Sequence, residues 1–302
     1  RAFVISRKQT FYQRAIRILS QFLQVIFTFI IMKYYYPALS DKDLGWIRIG
    51  GPGLANCMFL AANAYISSIR GDGKLITPTW CKFSLGPILR KEHDKRVYNQ
   101  LFNDIGIKGI RKAWIILTKK MFNRKDVEVY HTLGDFFQDL NKDVVLVQKY
   151  FNLILKEKTV KNVNVSEMRE QVAVHIRLGD YVPEMRVDIE WYKKLIENIL
   201  REYPQQKFAL FSDGSDDELI SLLSLPNVKR CFFGNAFADM WAISKTKFVI
   251  ASDSTFSAWG AFLGQRPIVF SKRHFPPVYD GYVPEAVLGK ATTLPLEFLT
   301  YL

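Results

Sequence analysis

The sequence predicts an α/β protein whose C-terminal half is built on a mostly parallel sheet. Three observations carry this. From Gln171 onward, apolar runs of strand length alternate with amphipathic runs of helix length. The connections between them are short. An earlier strand, glycine turn and helix open a second unit of the same kind.

Residues 1–44 stand apart as an N-terminal extension. RAFVISRKQTFYQRAIR is basic, and LSQFLQVIFTFIIMKYYYP follows as an apolar, aromatic-rich run in which Phe22, Leu23, Ile26, Phe29 and Ile30 fall at helical spacing. Gln21, Gln24 and Thr28 interrupt it, whereas a spanning helix needs about 20 mostly apolar residues. The site after it, Lys33-Tyr34-Tyr35-Tyr36, does not suit signal cleavage. Two readings fit: a helix lying on an anionic membrane surface, and a helix packed on the N-terminal domain.

Residues 45–165 are expected to form that domain. GWIRIGG reads as a short strand ending in glycines, and GLANCMFLAANAYISSIR as a helix with Leu54, Met58, Ala61, Ala62 and Tyr65 on its apolar face. Strand, Gly-rich turn and helix open a Rossmann-like unit, in which small residues let a ligand approach the backbone. A further helical stretch lies around Phe136 to Leu155. Residues 166–302 form the C-terminal domain. VAVHIRL, KFALFSD, NVKRCFF, FVIAS and RPIVFSK are its strands; DIEWYKKLIENILREY, DDELISLLSL, AFADMWAISKTK and STFSAWGAFLG are its helices.

Composition agrees with two such domains. The chain has 302 residues, 49% hydrophobic and 24% charged, which excludes disordered, collagen-like and disulfide-scaffold classes. Cys57, Cys81 and Cys231 have neither disulfide nor zinc spacing, and a reducing compartment fits. The net charge of +13 admits nucleic acid, anionic lipid or a phosphorylated small molecule as partner. Zinc-finger, RNP and helix-turn-helix patterns are missing, which speaks against nucleic acid. The four histidines are scattered, and the Asp41-Lys42-Asp43 pair falls outside the α/β units, so no metal is expected. P-loop and G-x-S-x-G patterns are also missing.

In open parallel sheets, ligands bind beyond the carboxyl ends of the strands. Three such ends are polar: His175-Ile176-Arg177 with Gly179-Asp180, then Ser212-Asp213, then Ser252-Asp253-Ser254-Thr255. Alternation points His175 and Arg177 to one face and Ile176 and Leu178 to the other. Such a pair fits a salt-bridged domain edge or an anion site, arginine being suited to phosphate. Ser254 or Thr255 is a natural N-cap, and the amides of that first turn can hold a phosphate. The two features together favour a phosphorylated ligand. Asp213 suits either a cap or acceptance from ribose hydroxyls or a base N–H.

These residues resemble a known family. HIRLGDY is similar to the H-x-R-R-x-D motif of the α-1,2-fucosyltransferases, the inverting enzymes of glycosyltransferase family 11. ASDSTFSAWGAFLG resembles that family's S-N-S-T-F-S-W-W-A-A-W-L segment, and RIGGPGLANCMFLAANAY its G-G-L-G-N-Q-L-F-Q-Y-A opening. The resemblance implies a GT-B fold: two Rossmann-like domains facing each other across a cleft, GDP-fucose in the C-terminal one and the glycan acceptor mainly in the N-terminal one. It implies no metal. By position, Arg177 and His175 would bind the donor diphosphate together with Ser254, Thr255 and Phe256, and Asp213 would face the guanosine. Gly51, Gly53, Asn56 and Asp180 would lie in the cleft near the donor sugar or acceptor. Leu178 stands in place of the second arginine, Pro52-Gly53-Leu54-Ala55 stiffens the opening loop, and Asp253 replaces an asparagine. The general base is left open among Asp180, Glu184 and Asp253.

The implied reaction moves fucose from GDP-fucose to a hydroxyl, O2 of galactose, of an oligosaccharide or lipid-linked glycan. Competing readings are a same-fold transferase with another nucleotide sugar or linkage, a basic nucleic-acid-binding protein and a silent membrane adaptor. The implied setting is the cytoplasmic face of a bacterial membrane, or a Golgi lumen if an anchor precedes Arg1.

Overall fold

The computed structural model describes residues 32–83, 97–179 and 182–302. The first strand, β1 (Tyr34–Pro37), is buried at all four positions. Two short strands follow, β2 (Lys42–Asp43) and β3 (Arg48–Ile49), then helix α1 (Leu54–Arg70) and the strands β4 (Lys74–Leu75) and β5 (Lys82–Phe83). Helix α2 (Gly109–Phe122), strand β6 (Val127–Tyr130) and helix α3 (Val144–Ile154) complete the N-terminal unit. Its main sheet has the order β4-β1-β6, all parallel.

The domain start expected at residue 45 is corrected by this sheet. β1 is its central strand, so YYYP belongs to the N-terminal unit. Three tyrosines in a row hide the alternation by which a strand is recognised. The expected opening strand, GWIRIGG, contributes only β3, which sits in a side sheet of order β2-β3-β5. Asp41 and Asp43 are likewise part of this unit. The membrane-contact reading of the N-terminal run falls mostly on residues 1–31, outside the described residues.

In the C-terminal unit, β7 (Gln171–Ile176) is followed by α4 (Ile189–Glu202), β8 (Lys207–Ser212), α5 (Asp216–Leu223), β9 (Val228–Arg230) and α6 (Ala236–Ile243). Strand β10 (Val249–Ala251), helix α7 (Thr255–Gly264) and strands β11 (Ile268–Phe270) and β12 (Glu285–Val287) complete it. The sheet has the order β12-β11-β10-β7-β8-β9, and every pair is parallel. Counted from β7, this is the doubly wound order 3-2-1-4-5-6 read from the other edge, and the order reverses between β7 and β10.

Alternation along β7 separates two apolar layers. Val172, Val174 and Ile176 meet Trp191, Tyr192, Leu195, Ile196 and Ile199 of α4. Ala173 faces the other way, into a layer shared with the N-terminal unit. There Trp259 of α7 is fully buried against Phe59 of α1 and Phe151 of α3, with ring centroids 4.8 and 5.5 Å apart. The two α/β units, as expected of a GT-B protein, are thus joined by a packed apolar seam. That seam fixes α1 against α7, the two helices whose N-termini carry the site.

Candidate functional site

The reversal between β7 and β10 opens a crevice at the carboxyl ends of these strands, the place where doubly wound sheets take ligands. β7 delivers His175 and Arg177 there; β10 delivers Ser252 and the start of α7. The strands are held together at this point by the Ser252 amide, which donates to the His175 carbonyl at 2.9 Å. Ser254 caps α7, its hydroxyl accepting from the Phe256 amide at 3.3 Å. The first-turn amides of a helix have no intrahelical acceptors, and with the helix dipole they favour an anion.

Arg177 is the cation of the site. Its side chain is 28% exposed, and its Nη1 lies 3.0 Å from Asp213 Oδ2. The other oxygen of Asp213 accepts from the Leu178 amide at 2.8 Å. Gly179 leaves room for this carboxylate, since a Cβ there would come within 2.6 Å of Asp213 Oδ2. Asp213 therefore pins both the guanidinium and the backbone after β7. Both of its oxygens thus have partners within the protein, beside which the expected contact with the guanosine would form. Leu178 itself is buried in the opposite layer, as alternation requires, and packs near Gly214.

His175 lies near the end of β7. It is only 5% exposed, its Nδ1 lies 2.9 Å from Ser252 Oγ, and its ring stacks on Phe256 with centroids 5.0 Å apart. Burial drives its pKa well below the usual histidine range, against an opposing pull from Asp213 and in the same sense as Arg177. Burial thus favours a neutral imidazole, which would meet a diphosphate by hydrogen bonding and not by charge. It also holds Phe256 and the β10 end in place.

Across the crevice stands the Gly-rich loop before α1. Thr255 Oγ1 donates to Asn56 Oδ1 at 3.2 Å, so Asn56 does meet the start of α7. Gly51 has φ +89°, and a Cβ there would strike the Leu39 carbonyl at 2.2 Å, so the loop requires glycine. Gly53, the N-cap of α1, faces open space. A cavity of about 320 Å³ lies beside Asn56, lined also by Leu39, Asp41, Gly51, Pro52 and His131. It collects the carboxyl ends of β1 and β6, as the other crevice does for β7 and β10.

Asp180 lies outside the described residues. Glu184 is exposed and lends its carbonyl to Lys272 at 2.9 Å. Asp253 accepts from the His274 amide at 2.9 Å and lies 2.6 Å from the His274 ring, so it tethers the loop after β11.

Three features escaped the sequence reading. Arg48 is fully buried and donates to the carbonyls of Gly50, Leu39 and Pro52, and to Cys57 Sγ. Lys82, also buried, donates to the Gly51 carbonyl at 2.6 Å. Together they fasten the glycine loop. Asp239 on α6 accepts from the Phe233 amide at 2.7 Å, and burial pushes its pKa up to about 7. No local pattern marks any of the three. Among the described residues no group of three or more His, Cys, Asp and Glu side chains could hold a metal ion.

Comparison with known proteins places the chain. The structure is similar to that of the fucosyltransferase NodZ from Bradyrhizobium, with a TM-score of 0.45 and 14% identity over 80% of this chain and 96% of that one. It is similar to NodZ α-1,6-fucosyltransferase soaked with GDP-fucose (TM-score 0.46, 14% identity, 78% and 94% covered). A further similar structure is the E. coli heptosyltransferase WaaC with ADP, at a TM-score of 0.34 and 16% identity over 48% and 44% of the two chains. No curated protein matches. Residues 75–270 match the family model described as glycosyl transferase family 11, a span that holds both the His175–Arg177 strand end and the Ser252–Phe256 helix start. The chain belongs to glycosyl transferase family 11, the fucosyltransferase family that its motifs resemble, and is a glycosyltransferase.

Proposed function

We propose that the protein moves fucose from GDP-fucose to a hydroxyl, O2 of a galactose, on an oligosaccharide or lipid-linked glycan, with inversion and without a metal. The observation that carries this is Arg177 emerging beside the N-terminus of α7 at the point where the strand order reverses. A nucleoside diphosphate laid there meets one guanidinium and one helix terminus. These are the groups that suit two phosphates.

The step follows from that placement. The acceptor oxygen attacks the anomeric carbon from the face opposite the diphosphate. The bond from that carbon to the phosphate oxygen breaks, and its electron pair leaves with GDP. Arg177 and the α7 amides take up the growing negative charge. Asp213 keeps the guanidinium aimed, and the His175 ring keeps Phe256 and the helix start in register. The acceptor proton goes to a side chain of the facing cavity, where Asp41 and His131 are the titratable lining groups. Asn56, which joins cavity and helix, orients the sugar between them.

Incubation with GDP-fucose and a galactose-terminated oligosaccharide, followed by linkage analysis of the product, tests this reading. An O2-fucosylated product with the anomeric configuration inverted is expected. Release of nucleotide from another donor, with none from GDP-fucose, would overturn the donor. Attachment at another hydroxyl would overturn the linkage alone.

A further inference from the structure

Helix α2 is apolar on two faces, and among the described residues only one of them is covered. Ile115 and Ile116 turn inward against Tyr34, Tyr36, Ile76 and Val127. On the outside, Ile110, Trp114, Leu117 and Met121 are 82%, 62%, 50% and 62% exposed. Steps of four, three and four residues set them in one stripe along the helix. The β2–β3 turn widens it. Gly45 lies against Ala113, where a Cβ would come within 3.1 Å, and its neighbours Leu44 and Trp46 are both exposed. Exposed apolar residues of the C-terminal unit, such as Ile220, Phe232 and Leu296, sit on separate elements. Single residues of that kind are ordinary, whereas a contiguous stripe marks an interaction surface.

The chemistry around the stripe names the partner. Lys108, Arg111, Lys119 and Lys120 belong to α2 or precede it directly, and the helix carries no acidic residue. Of the nearby acids, Asp43 is buried and accepts from Tyr36 and Thr79, and Asp126 pairs with Arg124, which leaves Asp41 and Asp104 against this group of cations. A second copy of this face would bring like charges together, which opposes self-association. Trp46 and Trp114, flanked by lysines and arginine, suit the boundary between headgroups and acyl chains.

We propose that this face of α2 docks the protein on an anionic lipid bilayer, the apolar stripe entering the headgroup boundary and the cations meeting lipid phosphates. The site differs from the N-terminal run in which membrane contact is expected from sequence. It also bears on the cavity beside Asn56. Lys120 donates to the carbonyl of Asp41 at 3.2 Å, and Asp41 lines that cavity, so docking holds the cavity close to the lipid surface. A lipid-linked glycan would be presented there. This last consequence rests on the proposed transfer reaction; the docking itself does not.

Sedimentation of the full chain with vesicles tests it. Vesicles of phosphatidylcholine with phosphatidylglycerol should carry the protein down, less so as salt rises, and phosphatidylcholine alone should not. Trp114→Glu with Leu117→Glu should lower the bound fraction about tenfold. Lys108→Glu with Arg111→Glu should do so without touching the apolar stripe, and Leu296→Glu should bind as the wild type. Turnover of a soluble acceptor should stay unchanged in all three, which separates failure of docking from failure of the assigned reaction. The proposal is overturned if the wild type ignores anionic vesicles. It is overturned too if the α2 variants bind like the wild type, which would move the anchor to residues 22–31. A change of oligomeric state with lipid binding intact would make the stripe a protein interface.

Discussion

Ile47-Arg48-Ile49-Gly50 and Ile176-Arg177-Leu178-Gly179 have the same pattern, an arginine at a strand end followed by a glycine turn, and the fold uses them in opposite ways. Arg48 opens a two-residue strand in a side sheet. It is fully buried, its named bonds run to carbonyls and a thiol, and its charge serves only to fasten the loop around Gly51. Arg177 leaves the central strand of a six-stranded sheet where the strand order reverses, so its head emerges in a crevice with one carboxylate beside it. Local sequence sets the strand end and the turn. Sheet position decides whether the cation holds the protein or a ligand.

Substitutions at the two arginines should therefore separate cleanly. Arg177→Ala is expected to slow transfer by about a hundred- to thousandfold, the scale of losing one donor to a developing anion. Its stability should change by no more than about 1 kcal/mol, because the pair with Asp213 is partly exposed. Arg48→Ala should do the reverse. It strands buried carbonyls at a cost of about 3 kcal/mol, read as a lower denaturant midpoint. Equal effects of both on turnover and stability would erase the distinction.

Asp213→Asn comes next in size. The Leu178 contact can survive while the aim of Arg177 is lost, so turnover should fall about tenfold with nucleotide affinity reduced alongside it. An unchanged affinity with weakened guanine-over-uracil preference would place Asp213 on the nucleoside.

Two buried groups extend the contrast to pH, with opposite signs. His175 has its folded pKa depressed, so its contribution to stability is present above about 6.5, the unfolded value, and is lost as pH falls below it. Asp239 has its folded pKa raised to about 7, so its contribution is present below about 3.9 and is lost as pH rises through 7. Asp239→Asn should raise the melting temperature at pH 8 and leave it nearly unchanged at pH 4. A gain of the same size at both would show that the carboxyl is not strained by ionisation. The smallest effect is expected from chelation: treatment with EDTA should leave turnover unchanged, and loss restored by a divalent cation would add a metal to the mechanism.

The C-terminal unit is legible in the sequence because β7 and β8 each have six residues and the helices between have clear caps, such as Ser215 with Glu218 and Ser254 at α7. Position and facing of Arg177 and Leu178 follow from alternation alone. The N-terminal unit resists the same reading. Strands of two residues have no period, and polar residues such as Arg48, Lys82, Asp43 and Lys112 occupy buried positions that pattern assigns to the surface. The state of His175 depends on a ceiling of Phe256 and Ser252 far along the chain. Likewise Asn56 and Thr255, 199 residues apart, become neighbours only when α1 packs on α7.

Calorimetric titration of GDP into the wild type and Arg177→Ala tests the central assignment most directly. GDP should bind the wild type in preference to UDP or ADP, and the substitution should weaken it at least tenfold, about 1.4 kcal/mol. Equal affinity of GDP for the two proteins, or none for the wild type, would contradict a donor diphosphate seated between Arg177 and the start of α7.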